Sequence, residues 1–211
     1  MRKVDPERHE AKRQQILQAA VTCFAQKGFH RTSTAEICAE AGMSPGNLFY
    51  YFPNKQAIIA AIVEEERRQT ADYFEGTTQA TDLFAELLDF MDIVLELASD
   101  PIYLKLALEI AAEAMRDEEI GKLVTKNDNE LQTALNTLLR NAAARGQVDP
   151  TLDPADSARW IAALVDGVFS RVAIDPGFNP LEQRPMLRLL ITRFLRPGGA
   201  GDLLSATSSQ G

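Results

Sequence analysis

Residues 33–52 read STAEICAEAGMSPGNLFYYF, two short segments hinged on Gly42 and Met43. Ser33 followed three residues later by Glu36 forms a capping box, in which each side chain takes a backbone N–H that the new helix leaves free. Ser44 repeats the start signal, and Pro45 occupies the first helical position, where its missing N–H costs nothing. The spacing predicts helices over residues 34–41 and 45–51, joined by a tight glycine turn. Two short helices joined in this way form a helix-turn-helix, whose second member enters the major groove of DNA.

At about 100° per residue, that second helix has two faces. Leu48 and Phe52 project together and are expected to pack on Ile37, Ala41 and the apolar stripe of the preceding helix. Gly46, Asn47 and Tyr50 point away, with Phe49 and Tyr51 on the flanks. Gly46 has no side chain, so the helix N-terminus can come close to a phosphate. Asn47 can donate and accept at a base edge, while Tyr50 and Tyr51 pair a ring for sugar or a thymine methyl with a hydroxyl for phosphate. Thr34 is placed to touch the DNA backbone, and Lys55 is expected to add a point charge at the start of the following helix.

The same punctuation organises the rest of the chain. Asp5-Pro6, Asp100-Pro101, Asp153-Pro154 and Asn179-Pro180 each put a cap residue before a proline, Asn54 can cap a helix starting at Lys55, and Gly28 closes the first helix. Further helices are expected over 6–27, 55–75, 81–98, 101–115, 118–145, 154–174 and 181–195, making about nine. No convincing period-2 strand is present, so the expected fold class is all-α. At 211 residues, 45% hydrophobic and 25% charged, the chain can bury a core as one or two domains. The expected division is a helix-turn-helix domain at 1–54, an effector-binding and dimerisation domain at 55–196, and a flexible small-residue tail at 197–211.

The net charge of −8 is unevenly spread. Residues 1–55 hold eight Lys/Arg against five Asp/Glu, whereas the remainder holds 14 against 25. Only the N-terminal segment therefore suits a polyanion, and double-stranded DNA is the expected partner. There is no apolar run of about 18 residues, and the basic start is followed by no apolar core, so a cytoplasmic protein without membrane contact is expected. Cys23 and Cys38 sit in apolar helical patterns without metal-ligand spacing, which makes them buried thiols; no metal or cofactor is expected.

Residues 28–58, GFHRTSTAEICAEAGMSPGNLFYYFPNKQAI, resemble the DNA-binding signature of the TetR family of bacterial transcriptional regulators. The matching positions are Gly28, Phe29, Thr32, Ser33, Ile37, Ala41, Gly42, Ser44, Gly46, Leu48, Phe52 and Lys55. The resemblance implies a homodimer on a palindromic operator and a helical C-terminal domain that binds a small effector and releases DNA. It places Thr34, Ser44, Pro45, Gly46, Phe49, Tyr50, Tyr51 and Lys55 at DNA-contacting positions. Phe49 stands where tyrosine is usual, Cys38 where alanine is usual and Gln56 where an acid is usual; the first puts one hydroxyl–phosphate bond in doubt. Residues 144–176 are more weakly similar to the subset related to betaine regulators.

In the C-terminal region the apolar faces suggest sites. Phe84, Leu87, Leu88 and Met91 line one side of the helix over 81–98, and Tyr103, Leu106 and Ile110 one side of the next. With Phe74, Trp160 and Leu164 they make up the expected pocket for a largely apolar effector. Lys105, Glu109, Glu113 and Arg116 fall at steps of three or four and admit two readings, a solvated ion-pair ladder or a carboxylate counter-ion for a cationic effector. The last two helices are apolar too broadly for one buried stripe and want cover on two sides. Ile161, Val165, Phe169 and Val172, with Leu187, Leu190, Ile191 and Phe194, are the expected dimer interface. Helix 55–75 runs from Lys55 through Ile58, Ile59, Ile62 and Val63 to Phe74, and is expected to act as a lever between effector and DNA.

Two other classes remain at this point. An all-α enzyme lacks support, because both histidines and both cysteines precede residue 39 and no nucleophile–base or phosphate-loop arrangement follows. A ligand-independent activator is disfavoured by the size of the apolar C-terminal region.

Overall fold

The side chains that read as start signals cap helices. Asp5 Oδ1 accepts from the N–H groups of Glu7 and Arg8, opening α1 (Pro6–Lys27). Ser33 and Glu36 close a full capping box on α2 (Thr34–Glu40), and Ser44 Oγ accepts from the N–H of Asn47 at the start of α3 (Pro45–Tyr51). Asn54 Oδ1 accepts from Ala57 N–H at 2.8 Å in the first turn of α4 (Lys55–Gly76). Asp100 and Asp153 cap α6 (Pro101–Ala114) and α8 (Pro154–Ile174). The remaining helices are α5 (Leu83–Ser99), α7 (Glu118–Ala144) and α9 (Arg184–Leu195). This computed structural model describes residues 5–196, and no strand occurs among them. The expected tail at 197–211 lies outside the described residues.

One predicted start is displaced. Asn179 Oδ1 does accept from Leu181 N–H, but only a single 3-10 turn, Leu181–Gln183, follows before α9 begins. Pro185 explains the offset: it has no N–H to bond back to the carbonyl of Leu181, so an α-helix cannot run through from 181.

The contacts gather the chain into two compact units. Among the described residues, the first contains 5–69 together with Asp100–Asn127; the second contains Thr70–Ser99 and 128–196. The first core joins Ile16, Phe24, Phe29, Ile37, Leu48, Phe52, Ile58 and Ile59 of the N-terminal helices to Leu106, Ile110 and Ile120. It is therefore larger than the 1–54 segment. A three-helix piece of that size buries too little apolar surface to stand securely alone, and the inner face of α6 supplies the missing cover.

The second core combines Phe74, Phe84, Leu87 and Met91 with Leu135, Leu139, Ile161, Val168, Ile191 and Leu195; Leu88 and Leu164 pack against it. Arg188 forks onto Asp92 and reaches Asp89 at 2.8 Å, and Arg184 reaches Glu96 at 2.9 Å, fixing α9 to α5.

Three expectations about the last helices need correction. Trp160, assigned to the pocket, is 67% exposed, and Ile161 and Ile191, assigned to the dimer interface, are fully buried in their own unit's core. Val165, Phe169, Val172, Leu187 and Phe194 are partly buried against that core, and Leu190 is exposed. The outward stripe of α8 runs Trp160, Ala163, Gly167, Ser170 and Ile174, one to two residues out of step with the expected one. The chain spends its large β-branched side chains on its own core. The second face is built largely from small residues, which hydrophobic periodicity does not register.

Candidate nucleic-acid interface

The two faces of α3 separate as its spacing requires. Leu48 is 0% exposed and Phe52 is buried, whereas Phe49 is 50% and Tyr50 64% exposed. Ser44, Pro45, Gly46 and Asn47 are exposed, and Thr34 and Tyr51 are half-buried at the edges. A Cβ built on Gly46 would meet nothing within 4 Å, and its backbone has negative φ. Nothing inside the chain, then, demands a glycine here. Gly42, at φ 61°, supplies the left-handed turn, and Gln15 of α1 donates to the carbonyl of Ala41 at 2.7 Å, fixing the angle between α2 and α1.

The turn before α2 is clasped from both sides. Lys55 Nζ donates to the carbonyls of Phe29 at 2.5 Å, Thr32 at 2.8 Å and His30 at 3.4 Å, and lies 4.3 Å from the centroid of the Phe29 ring. All three of its protons are thus directed at the chain itself. Within the chain Lys55 thus holds the turn before α2, while part of its surface stays open to solvent. Burial lowers its pKa, opposed by the nearby carboxylates of Glu113 and Glu36.

From α6, a Glu109 carboxylate oxygen accepts the N–H of Phe29 at 3.0 Å, and Glu113 Oε2 lies 2.9 Å from His30 Nε2. Glu113 is almost fully buried. Glu109 and Glu113 thus both reach the 28–30 turn, and of the ion pairs expected along α6 the one between Glu113 and Arg116 is present at 3.9 Å. Lys27 and, after it, the N–H of Ser33 hold the Glu36 carboxyl down to about 2, so the capping box stays charged at neutral pH.

Two family models match the chain: bacterial regulatory proteins of the tetR family over residues 16–62, and the C-terminal domain of BetI-type transcriptional repressors over residues 84–196. The chain belongs to the TetR family. The HTH-type transcriptional regulator UidR of Escherichia coli K12 is 26% identical over 162 residues, covering 76% of this chain and 81% of UidR. GusR of Salmonella enterica superposes with a TM-score of 0.74 at 29% identity, over 88% of this chain and 96% of that one. The Bacillus subtilis regulator FadR, solved with stearoyl-CoA, has the same fold, with a TM-score of 0.72 at 21% identity over 84% of this chain and 96% of that one. TetR-family proteins are DNA-binding transcriptional regulators and not enzymes, which removes the enzyme from the rival classes. The BetI-type match includes residues 144–176 and agrees with the weaker resemblance there.

Three residues of this TetR-family regulator escaped the sequence reading. His9 packs on Tyr51 and Tyr50, although its register was legible: His9, Arg13, Ile16, Ala20 and Phe24 share one face of α1 at steps of three or four. His30 faces Glu113 across a turn that no local pattern signals. Glu66 of α4 is hydrogen-bonded with Tyr103 of α6, the latter expected to line the pocket.

Burial pushes the Glu66 carboxyl up to about 7 despite the opposing hydrogen bond from Tyr103, and burial with the Glu66 charge raises the Tyr103 phenol. The folded state then holds the Glu66 proton more tightly than the unfolded chain does. Stability from this group is full below the ordinary value of 4.5 and is lost as pH rises toward about 7. Glu66→Gln keeps an acceptor for Tyr103 and should stabilise the protein by about 2 kcal/mol at pH 8 and little at pH 4, since Glu66 retains some solvent contact. Urea unfolding at the two pH values checks this.

Proposed function

We propose that the protein is a dimeric repressor that a small, largely apolar effector releases from a palindromic operator. On this reading residues 1–54 address DNA through Thr34, Ser44, Pro45, Gly46, Asn47, Phe49, Tyr50 and Tyr51, and residues 55–196 sense the effector and dimerise. The observation that carries it is α3: a capped seven-residue helix fixed by Leu48 and Phe52, with a bare glycine and exposed rings on its free side. A major groove accommodates such a helix, and dimers of helix-turn-helix proteins read half-sites about 34–36 Å apart or multiples of that.

Dimerisation is assigned to the outward stripe of α8 with Met186 and Leu190 of α9. The small residues Ala163, Gly167 and Ser170 would let a second copy of α8 come close, and a Cβ on Gly167 would meet nothing in its own chain. Exposed Trp160 and Ile174 bracket that stripe, and a two-fold partner would bury them.

The effector is assigned to apolar side chains of the second unit, among them Phe74, Phe84, Leu87, Leu88, Met91 and Leu164; Leu106 and Ile110, expected to line the same pocket, are buried in the first core. FadR's ligand, stearoyl-CoA, carries an apolar chain and supports that class. Release works through the clasped turn. Lys55 begins α4 and Glu109 and Glu113 lie on α6, so a displacement of either helix disturbs the Phe29–Thr32 turn and with it the placing of α2 and α3. An effector achieves this only by binding the released form better, by a coupling of about 1–3 kcal/mol.

Selection of duplexes from a random-sequence pool by the purified protein tests the reading. An inverted repeat with half-sites about one helical turn apart is expected. Recovery of no common sequence contradicts it, and repeats that compounds of any class fail to release would favour a ligand-independent activator.

A further inference from the structure

Tyr50 stands out at the free end of α3, yet its ring is not left to wander. It meets Tyr51 edge-on, with centroids 5.1 Å apart and planes at 89°. His9 closes the group: its imidazole lies 4.6 Å from the Tyr51 ring at 44° and 5.9 Å from the Tyr50 ring at 73°. Every pair falls within the 4.5–7 Å range over which rings attract edge-to-face or tilted.

The position of His9 is itself determined. The Asp5 side chain caps α1, the carbonyl of Asp5 accepts from His9 N–H at 2.9 Å, and Pro6 fixes the first helical residue between them. One turn further on, on the same face, the Arg13 guanidinium lies 5.8 Å from the Phe52 centroid. The first two turns of α1 therefore hold the far end of α3 through His9 on its tyrosines and Arg13 on its last buried ring.

We propose that His9 is a positioning residue for DNA recognition: its ring completes a three-ring cluster that holds Tyr50 and Tyr51 in the orientation in which they meet the operator. The inference rests on the reading of α3 as the recognition helix. An exposed tyrosine on a seven-residue helix loses rotamer freedom when it docks, and that loss is an unfavourable part of binding. A ring fixed before DNA arrives avoids it. His9 acts in this role as an aromatic surface, not as a cation for phosphate.

The probe is the inverted-repeat duplex selected by the parent protein, set against a scrambled duplex of equal length. His9→Ala should weaken binding to the repeat by about 3- to 10-fold, the value of one aromatic pair or two, and leave the scrambled duplex and the log–log salt slope unchanged. His9→Phe should restore the parent's preference, and His9→Lys should not. Restoration by Lys and not by Phe would overturn the proposal in favour of a phosphate contact, as would parent-like binding by His9→Ala. Ring-proton NMR of Tyr50 and Tyr51 in the free protein separates positioning from folding. Both tyrosines should shift in His9→Ala while Phe24 and Phe29 keep their parent resonances; unmoved tyrosine signals would overturn the proposal. If the parent protein selects no repeat, the reading of α3 fails first; if it does and His9→Ala binds like the parent, only the role of His9 falls.

Discussion

Tyr50→Ala should lower affinity for the selected inverted repeat by about 10- to 100-fold while changing the unfolding free energy by less than about 0.5 kcal/mol. The two halves of that expectation have different origins. Tyr50 is 64% exposed, so its removal opens no cavity in the first core. Its value to the free protein is limited to ring contacts with His9 and Tyr51 at the surface. On DNA the same ring would be desolvated against sugar or a thymine methyl, and its hydroxyl would meet a phosphate; loss of such a contact costs about 1–3 kcal/mol. Gly46→Ala separates the effects further. The added methyl meets no atom of the chain, and alanine is the better helix former by up to about 1 kcal/mol, so stability should rise as affinity falls. Equilibrium unfolding and duplex titration on the same samples check both variants. Operator affinity that follows stability would mean that the exposed face of α3 is only structural.

Lys55→Met should destabilise the first unit by about 2–4 kcal/mol, the sum expected for charge-assisted hydrogen bonds to carbonyls and a cation–ring contact. Methionine keeps most of the stem and its packing, so the loss reports the ammonium. The carbonyl of Thr32 would lose the ammonium, that of Phe29 would keep only the N–H of Thr32 at 3.3 Å, and Glu113 would lose its neighbouring positive charge. Operator affinity should drop through the looser turn, with a salt dependence equal to the parent's, because no phosphate contact disappears. A log–log salt slope reduced by about one, with stability unchanged, would place Lys55 among the phosphate ligands. Amide hydrogen exchange offers a local check: the N–H of Phe29, held by Glu109, should exchange faster in Lys55→Met.

How far the molecule could be read from its sequence depends on the range of each interaction. Caps are satisfied within three residues, so Asp5, Ser33, Ser44, Asp100 and Asp153 mark helix starts that the structure reproduces. The inward and outward sides of α3 follow from helical geometry alone once its start is known. Lys55 was legible as a residue but not as a partner, since its carbonyl acceptors lie more than 20 residues away and acceptors on the backbone carry no sequence signature. Glu109 shows the same limit across the 80 residues that separate it from Phe29. On α8 the obstacle was different. Apolar residues surround the helix, so periodicity indicated two buried sides without saying which served the chain's own core; Ile161 took that side, and Trp160 with Gly167 the other. Glu66 illustrates a buried carboxyl whose partner, Tyr103, comes from another helix, and nothing in its neighbours announces it.

The proposed function rests in the end on protomers acting in pairs, each setting one α3 into a major groove. Sedimentation velocity of the protein mixed with a duplex bearing the selected repeat tests this most directly. The complex should grow in steps of two protomers, and scrambling one half-site should abolish the tight complex rather than halve its mass. Stable complexes with a single protomer, bound equally well to the intact and the half-scrambled duplex, would contradict it.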